Sequence, residues 1–184
     1  ALEEGAYWIH DIVGLRVDEF MDKLRIHYNL PETLQELVDE LNNRMLELIP
    51  QRVKPRPGAQ AMIDYVVANR IPCAIASNSS LAIINKTVES MGWGHVFTVR
   101  CTADDEPEGK PAPYVYWTAA RRLGVEAHEC LALEDSVNGS RAVVAAGMTC
   151  YAVPDTSHST AARFADVTPH VFDSLHDVLA SLKA

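Results

Sequence analysis

Two carboxylates stand side by side at the end of an apolar run in "LEDSVNG", residues 133–139. At about 4 Å and an effective dielectric of about 20, Glu134 and Asp135 would repel each other by roughly 4 kcal/mol. On an open surface such a pair splays apart. At the mouth of a packed sheet it needs a cation, a proton or a set of donors. Hard carboxylate oxygens suit Mg2+, which takes one or two of them along with water and substrate oxygens. The same residues also suit capping, with Asp135 or Ser136 opening the next helix.

Two further stretches pair with this one. "SNSS", Ser77 to Ser80, follows the apolar run "IPCAIA" and precedes a helical pattern. Hydroxyls and free N–H groups at a helix N-terminus attract anions, although Ser79 or Ser80 could serve as simple N-caps. Lys110 precedes Pro111 in "TADDEPEGKPAP". It is either a point charge for a phosphate or a solvated surface lysine. The acids around it, Asp104, Asp105, Glu106 and Glu108, read as a solvated loop.

The surrounding pattern tells which elements must position these groups. The first third reads as helix. Val17, Phe20, Met21, Leu24 and Tyr28 form one stripe. Pro31 opens a second helix with Leu34, Leu37, Val38, Leu41, Met45 and Leu48 on its face. Pro50, Pro55 and Pro57 mark "PQRVKPRPG" as a hinge or linker. After Gly58 helices and short apolar strands alternate. Helices are expected over Ala59–Asn69, Leu81–Met91, Pro113–Gly124, Ser140–Ala146 and around Leu175–Leu182. Strands are expected over Ile71–Ala76, Val96–Cys101, Cys130–Leu133 and Thr149–Val153, with a short apolar run at His170–Phe172. This alternation predicts an α/β fold, a Rossmann-like parallel sheet covered by helices on both faces, with a small all-helical cap ahead of it. The division falls at residues 1–52 for the cap and 53–184 for the core. Ligands of such sheets bind beyond the carboxyl ends of the strands. The hydroxyl cluster, the lysine and the carboxylate pair are all placed there. Together they are the parts phosphate chemistry uses: anion donors, a positive charge and a metal site.

Composition sets the outer limits. The chain has 184 residues, 48% hydrophobic, with a formal net charge of -9. That is enough for one substantial core, and the charge argues against a nucleic-acid partner. Cys73, Cys101, Cys130 and Cys150 form no C-x-x-C pair and sit in or beside apolar runs. They read as buried free thiols of a reducing, cytoplasmic environment. No apolar stretch reaches the roughly 20 residues of a membrane span, and no signal peptide is visible. P-loop, G-x-S-x-G and H-E-x-x-H motifs are missing from the sequence.

With these residues in place, the sequence resembles the haloacid dehalogenase superfamily of phosphohydrolases, and within it the beta-phosphoglucomutase-like branch with its helical cap. "ASNSS" is similar to the second superfamily motif, "GKPAPYVY" to the third and "ALEDSVNG" to the fourth, in matching order and spacing. "GLRVDEF" resembles a cap stretch that lies near the substrate in sugar-phosphate phosphatases of that branch. The resemblance implies roles. Ser77 would donate its hydroxyl to the transferring phosphoryl group, beside the Asn78 backbone N–H. Lys110 would bridge that phosphate and the nucleophile. Asp135 would ligate Mg2+, with Glu134 supporting the ion or its waters. Ser79 and Arg16 would face the rest of the substrate.

The implied activity is a Mg2+-dependent phosphatase for a small phosphorylated metabolite such as a sugar phosphate, working through an aspartyl-phosphate intermediate. A phosphomutase, a haloacid dehalogenase and a domain that binds a ligand or partner without turnover are the alternatives. The family's first motif, D-x-D-G, has no counterpart in the sequence. In the family it supplies the nucleophile, the general acid and base, and the central strand. Asp11 in "IHDIVGL" lacks a second acid at the right spacing and lies in the cap stretch, so it is not that nucleophile. By comparison with the family the sequence begins a few tens of residues late. A chain without that segment is expected to be inactive, to leave two strand edges unpaired and to self-associate. The intact protein is expected to be a monomer.

Overall fold

The computed structural model describes residues 14–157 and 159–183. Asp11 lies outside them. Helix α1, Val17–Tyr28, begins with Asp18 and Glu19 against the positive end of its dipole and ends at Asn29, in the left-handed region with φ 48°. Helix α2, Leu34–Arg52, opens on a reciprocal capping box. Glu36 N–H donates to Thr33 Oγ1 at 3.3 Å, and Thr33 N–H donates to Glu36 Oε2 at 2.9 Å. The start therefore falls after Thr33, because this box satisfies two orphan donors that an opening at Pro31 would leave unpaired. Pro50 lies inside α2, and the helix runs on to Arg52. The linker proper is thus Val53 to Gly58. Leu37 and Ile49 are the buried side chains of α2, which packs against α1 and against the later helix Leu81–Ser90.

Helix α3, Ala59–Ala68, leads to β1, Ala74–Ser77, and α4, Leu81–Ser90, to β2, Val99–Thr102. Both strands begin three residues later than the apolar runs predict. Arg70 takes a positive φ of 55°, and the Ile71 N–H donates to Val66 O at 2.9 Å, closing α3. Pro72 then has no N–H for a ladder. Likewise Val96 and Phe97 donate to Trp93 O in a turn. Helix α5, Tyr114–Leu123, precedes β3, Leu131–Glu134; α6, Val137–Ala145, precedes β4, Thr149–Ala152; and α7, Leu175–Lys183, ends the described chain.

Strands β1 and β2 pair in parallel with Ala76 opposite Cys101, and β3 and β4 pair in parallel with Leu133 opposite Tyr151. Among the described residues the parallel strands form two two-stranded sheets. A common core joins them. Val115, Tyr116, Ala119 and Ala120 of α5 and Ala142 and Val143 of α6 cover the face that carries Ala74, Ala76, Cys101, Ala132 and Cys150. Met62 of α3 and Val178 and Leu179 of α7 cover Tyr151 and Val153 on the other face. Period-2 alternation assigns each strand residue to one face or the other. No helix among the described residues is long and apolar enough to cross a membrane. The four cysteines are unpaired.

Candidate active site

Three turns follow β1, β2 and β3, and contacts from Asn78 and Gly109 knit two of them to the segment ahead of α1. Ser77 ends β1. Its Oγ accepts from the Ser79 N–H at 3.1 Å, folding "SNSS" into a tight turn. The Ser79 carbonyl accepts from Thr102 Oγ1 at 2.8 Å, which ties this turn to the end of β2. Ser80 is the N-cap of α4 but makes no side-chain cap bond. The simple capping role for this cluster is therefore not the one the structure uses.

Asn78 is buried, and its side chain acts as a strut. Its Nδ2 donates to Gly14 O at 2.7 Å, while its Oδ1 accepts from the Lys110 backbone N–H at 2.9 Å. Its amide side chain is thus engaged by the protein. Gly109 is packed so closely that a Cβ there would lie 3.1 Å from Arg16 Cβ and 3.2 Å from Asn78 Oδ1.

Lys110 is no surface lysine. It is only 7% exposed, and its Nζ donates to Glu134 Oε1 at 2.5 Å. The ammonium also lies over the Tyr116 ring, 4.8 Å from its centroid. Glu134 is 9% exposed. Its Oε1 accepts in addition from Tyr116 OH, and its Oε2 accepts from Ser136 Oγ at 3.4 Å. Ser136 in turn caps α6, accepting from the Gly139 N–H at 3.0 Å. Lone buried charges cost several kcal/mol each. Here charge, phenol and hydroxyl satisfy the carboxylate together. Burial first, and the Glu134 charge second, push the Tyr116 phenol well above its ordinary pKa, so it remains a donor at neutral pH.

Glu134 and Asp135 leave the strand in different directions, as neighbouring strand residues do. Asp135 has a half-exposed side chain, 3.8 Å from Arg56 Nη1. Burial and the Glu134 charge raise its carboxyl pKa, and Arg56 and Lys110 partly offset this. Arg56 is fixed by donating to Val153 O at 3.0 Å and Pro154 O at 2.9 Å. Arg16 sits just before α1. Its guanidinium is taken up by Asp18, at 2.7 and 2.8 Å, with Glu19 at 4.0 Å. Its Nη1 also donates to Ala103 O at 3.5 Å, so the guanidinium joins its own helix to the end of β2 while its Cβ borders Gly109. Among the described residues no group of three or more His, Cys, Asp or Glu side chains is gathered closely enough to hold a metal. The donor set at the end of β3 is two carboxylates.

A sequence model of the haloacid dehalogenase-like hydrolase family matches residues 7–153. The chain belongs to that family. Among relatives of this haloacid dehalogenase-like hydrolase, hexitol phosphatase B of Escherichia coli (strain K12) is 33% identical over 156 residues, covering 84% of this chain and 70% of that protein. The bifunctional riboflavin kinase/FMN phosphatase of Arabidopsis thaliana is 35% identical over 149 residues, covering 79% of this chain. The chain spans only 37% of that relative and 54% of the Bacillus subtilis (strain 168) putative phosphatase YhcW. In three dimensions it is similar to CbbY from Rhodobacter sphaeroides in complex with phosphate. The TM-score is 0.84 and the identity 26%, with 96% of this chain and 82% of that one covered.

Of the two caps the sequence offers for α6, Ser136 is the one used, and three residues of this candidate site carry no sequence motif of their own: Tyr116, Gly139 and Arg56. Tyr116 follows Lys110 by six residues and shares the inward face of α5 with Ala119 and Ala120. That spacing is the one signal that could have found it. Arg56 lies in a linker and reaches backbone 97 residues away, for which no local pattern exists.

Proposed function

We propose that this chain forms part of a Mg2+-dependent phosphatase for a small phosphorylated metabolite, a sugar or polyol phosphate ester. The observation that carries the reading is the buried Lys110 ammonium, fixed at 2.5 Å from Glu134 in a turn that Asn78 ties to "SNSS". A cation taken out of water beside a serine turn is what a phosphoryl group requires. Lys110 would neutralise one oxygen of the phosphate. Ser77 Oγ and the backbone N–H groups of the turn would bind others, and Ser79 would face the leaving group. Arg16 would reach the distal end of the substrate after exchanging Asp18 for it. Relatives named for hexitol, FMN and pseudouridine-5'-phosphate phosphatase activity support this substrate class.

The donor set at the end of β3 fits Mg2+. Asp135 offers hard oxygens on a half-exposed side chain. Asp135 would hold the ion. Glu134, already bound to Lys110 and Tyr116, would support its waters. When bound, the ion would stabilise charge on the phosphoryl oxygens. The aspartyl-phosphate intermediate of this reading needs a carboxylate nucleophile, and no D-x-D pair occurs in the 184 residues. The roles assigned to this chain are therefore those of the electrostatic half of the site. In this reading residues 1–52 form the cap over the core of residues 53–184, and the free thiols fit a cytoplasmic protein.

The test is a phosphate-release screen of the full-length protein over sugar, polyol and nucleotide phosphates. Release that vanishes with EDTA and in Asp135→Ala is expected. Turnover indifferent to both defeats the metal role. An isomerised product in place of free phosphate identifies a mutase, and chelator-insensitive halide release a dehalogenase. Phosphate binding without any turnover identifies a binding domain.

A further inference from the structure

Lysine has four rotatable side-chain bonds, and fixing it costs rotamer entropy. A buried lysine that serves a ligand needs something stiff to hold its head group. Its partner Glu134 is itself a flexible side chain, so the ion pair alone leaves the location of both undetermined.

The stiff element is on α5. Tyr116 is 5% exposed and packed with Val115, Ala119, Ala120, Ala142 and Val143 in the core that joins the two strand pairs. Its hydroxyl donates to the same Glu134 Oε1 that accepts from Lys110. Its ring face carries the ammonium, 4.8 Å from the centroid. One rigid side chain thus meets Lys110 from two directions, directly through the ring and indirectly through the carboxylate. The other carboxylate oxygen is held by Ser136, the cap of α6. The phenol also takes a share of the Oε1 lone pairs. With Tyr116 present the ammonium does not have to spend all its hydrogen bonds on Glu134.

We propose that Tyr116 is a positioning residue for Lys110: its hydroxyl fixes Glu134, and its ring supports the ammonium, so that Lys110 stays aimed at a bound phosphate. This rests on the phosphatase reading for the ligand but not for the placement of the lysine.

The experiment uses the full-length protein and Tyr116→Phe, which keeps the ring and removes the hydroxyl. Inorganic phosphate binding is followed by titration calorimetry, and the Lys110 ammonium by its proton–nitrogen NMR signal. A phosphate Kd weakened about tenfold is expected, equivalent to about 1.4 kcal/mol. The Lys110 signal is expected to shift or broaden, with the thermal midpoint little changed. In a Glu134→Leu background, which offers the hydroxyl no acceptor, the same substitution should change the Kd less than twofold, because the hydroxyl acts through the carboxylate. Equal losses in both backgrounds mean a packing role and overturn the proposal. So does an unchanged Lys110 signal in Tyr116→Phe. If Glu134→Leu does not fold, the Lys110 signal in the single variant decides alone. If the unsubstituted protein does not bind phosphate, the functional reading fails, and the Lys110 signal still decides the positioning role.

Discussion

The carboxylate of Glu134 occupies the space a β-carbon would need at Gly139. The glycine lies in the first turn of α6, next to the Ser136 cap, and its missing side chain lets the acid lie over the helix start. The end of β3 and the start of α6 are therefore one packed unit, and Lys110 is paired into it.

Gly139→Ala should expel Glu134 from this position. Breaking a buried ion pair by displacing one partner costs about 3–5 kcal/mol. Alanine returns about 1 kcal/mol of helix propensity. The expected net loss is roughly 2–4 kcal/mol by chemical denaturation. In a Glu134→Ala background the same substitution should be neutral or slightly stabilising. A full loss there would show that the clash is with something other than the carboxylate.

Asn78→Ala removes the strut between Gly14 and Lys110. The buried Lys110 N–H then loses its acceptor, at a cost of about 1–3 kcal/mol. Amide hydrogen exchange at Lys110 should speed up by at least tenfold, while exchange in the α7 core stays unchanged. Protection at Lys110 equal to the parent protein would mean that the turn is held by other contacts.

Arg56→Met should raise the Asp135 pKa further, since Arg56 is the leading group that lowers it. A carboxyl raised in the folded state holds its proton more tightly folded than unfolded. Its favourable contribution is complete below the ordinary carboxylate value and is lost as pH rises through the raised one. The variant should therefore lose stability over a range reaching to higher pH than the parent. Carbon NMR of the Asp135 carboxyl measures the shift directly, and a lowered value would contradict the assignment.

Asp18→Asn frees the Arg16 guanidinium. In the parent, the Arg16 hydrogen bond lowers the Asp18 pKa. The stability it contributes is present above the ordinary carboxylate value and is lost as pH falls through the depressed one. The pair is partly exposed, so its effect on unfolding should be below about 1 kcal/mol. Parent and variant should converge in stability at the acid end. If Arg16 faces the substrate, KM should change more than kcat in the full-length enzyme.

The amount legible in the sequence follows the range of the interactions involved. The β-α alternation, both halves of the Lys110–Glu134 pair and the "SNSS" turn are carried by local runs and could be read directly. The readings of Glu134 and Asp135 as neighbours in need of charge were sound, but they could not show that Lys110 serves one and Arg56 the other. Strand starts were placed too early because Ile71 and Val96 are apolar, while their N–H groups are used to close turns. Pro50 looked like a stop, yet a last-turn proline forfeits a bond near a frayed end and α2 continues past it. Tyr116 was hidden in "YVYW", where three aromatic residues compete for the inward face and packing alone selects one.

Helix α5 has a wider consequence. It packs against both β1 and β2 and also against α6, which rests on β3 and β4. The serine turn belongs to the first strand pair and the acids to the second. The spacing between these two strand pairs therefore depends on a core that includes the small residues Ala119, Ala120 and Ala142. A single methyl added there, well behind the loops, would push the serine turn and the acids apart without touching either.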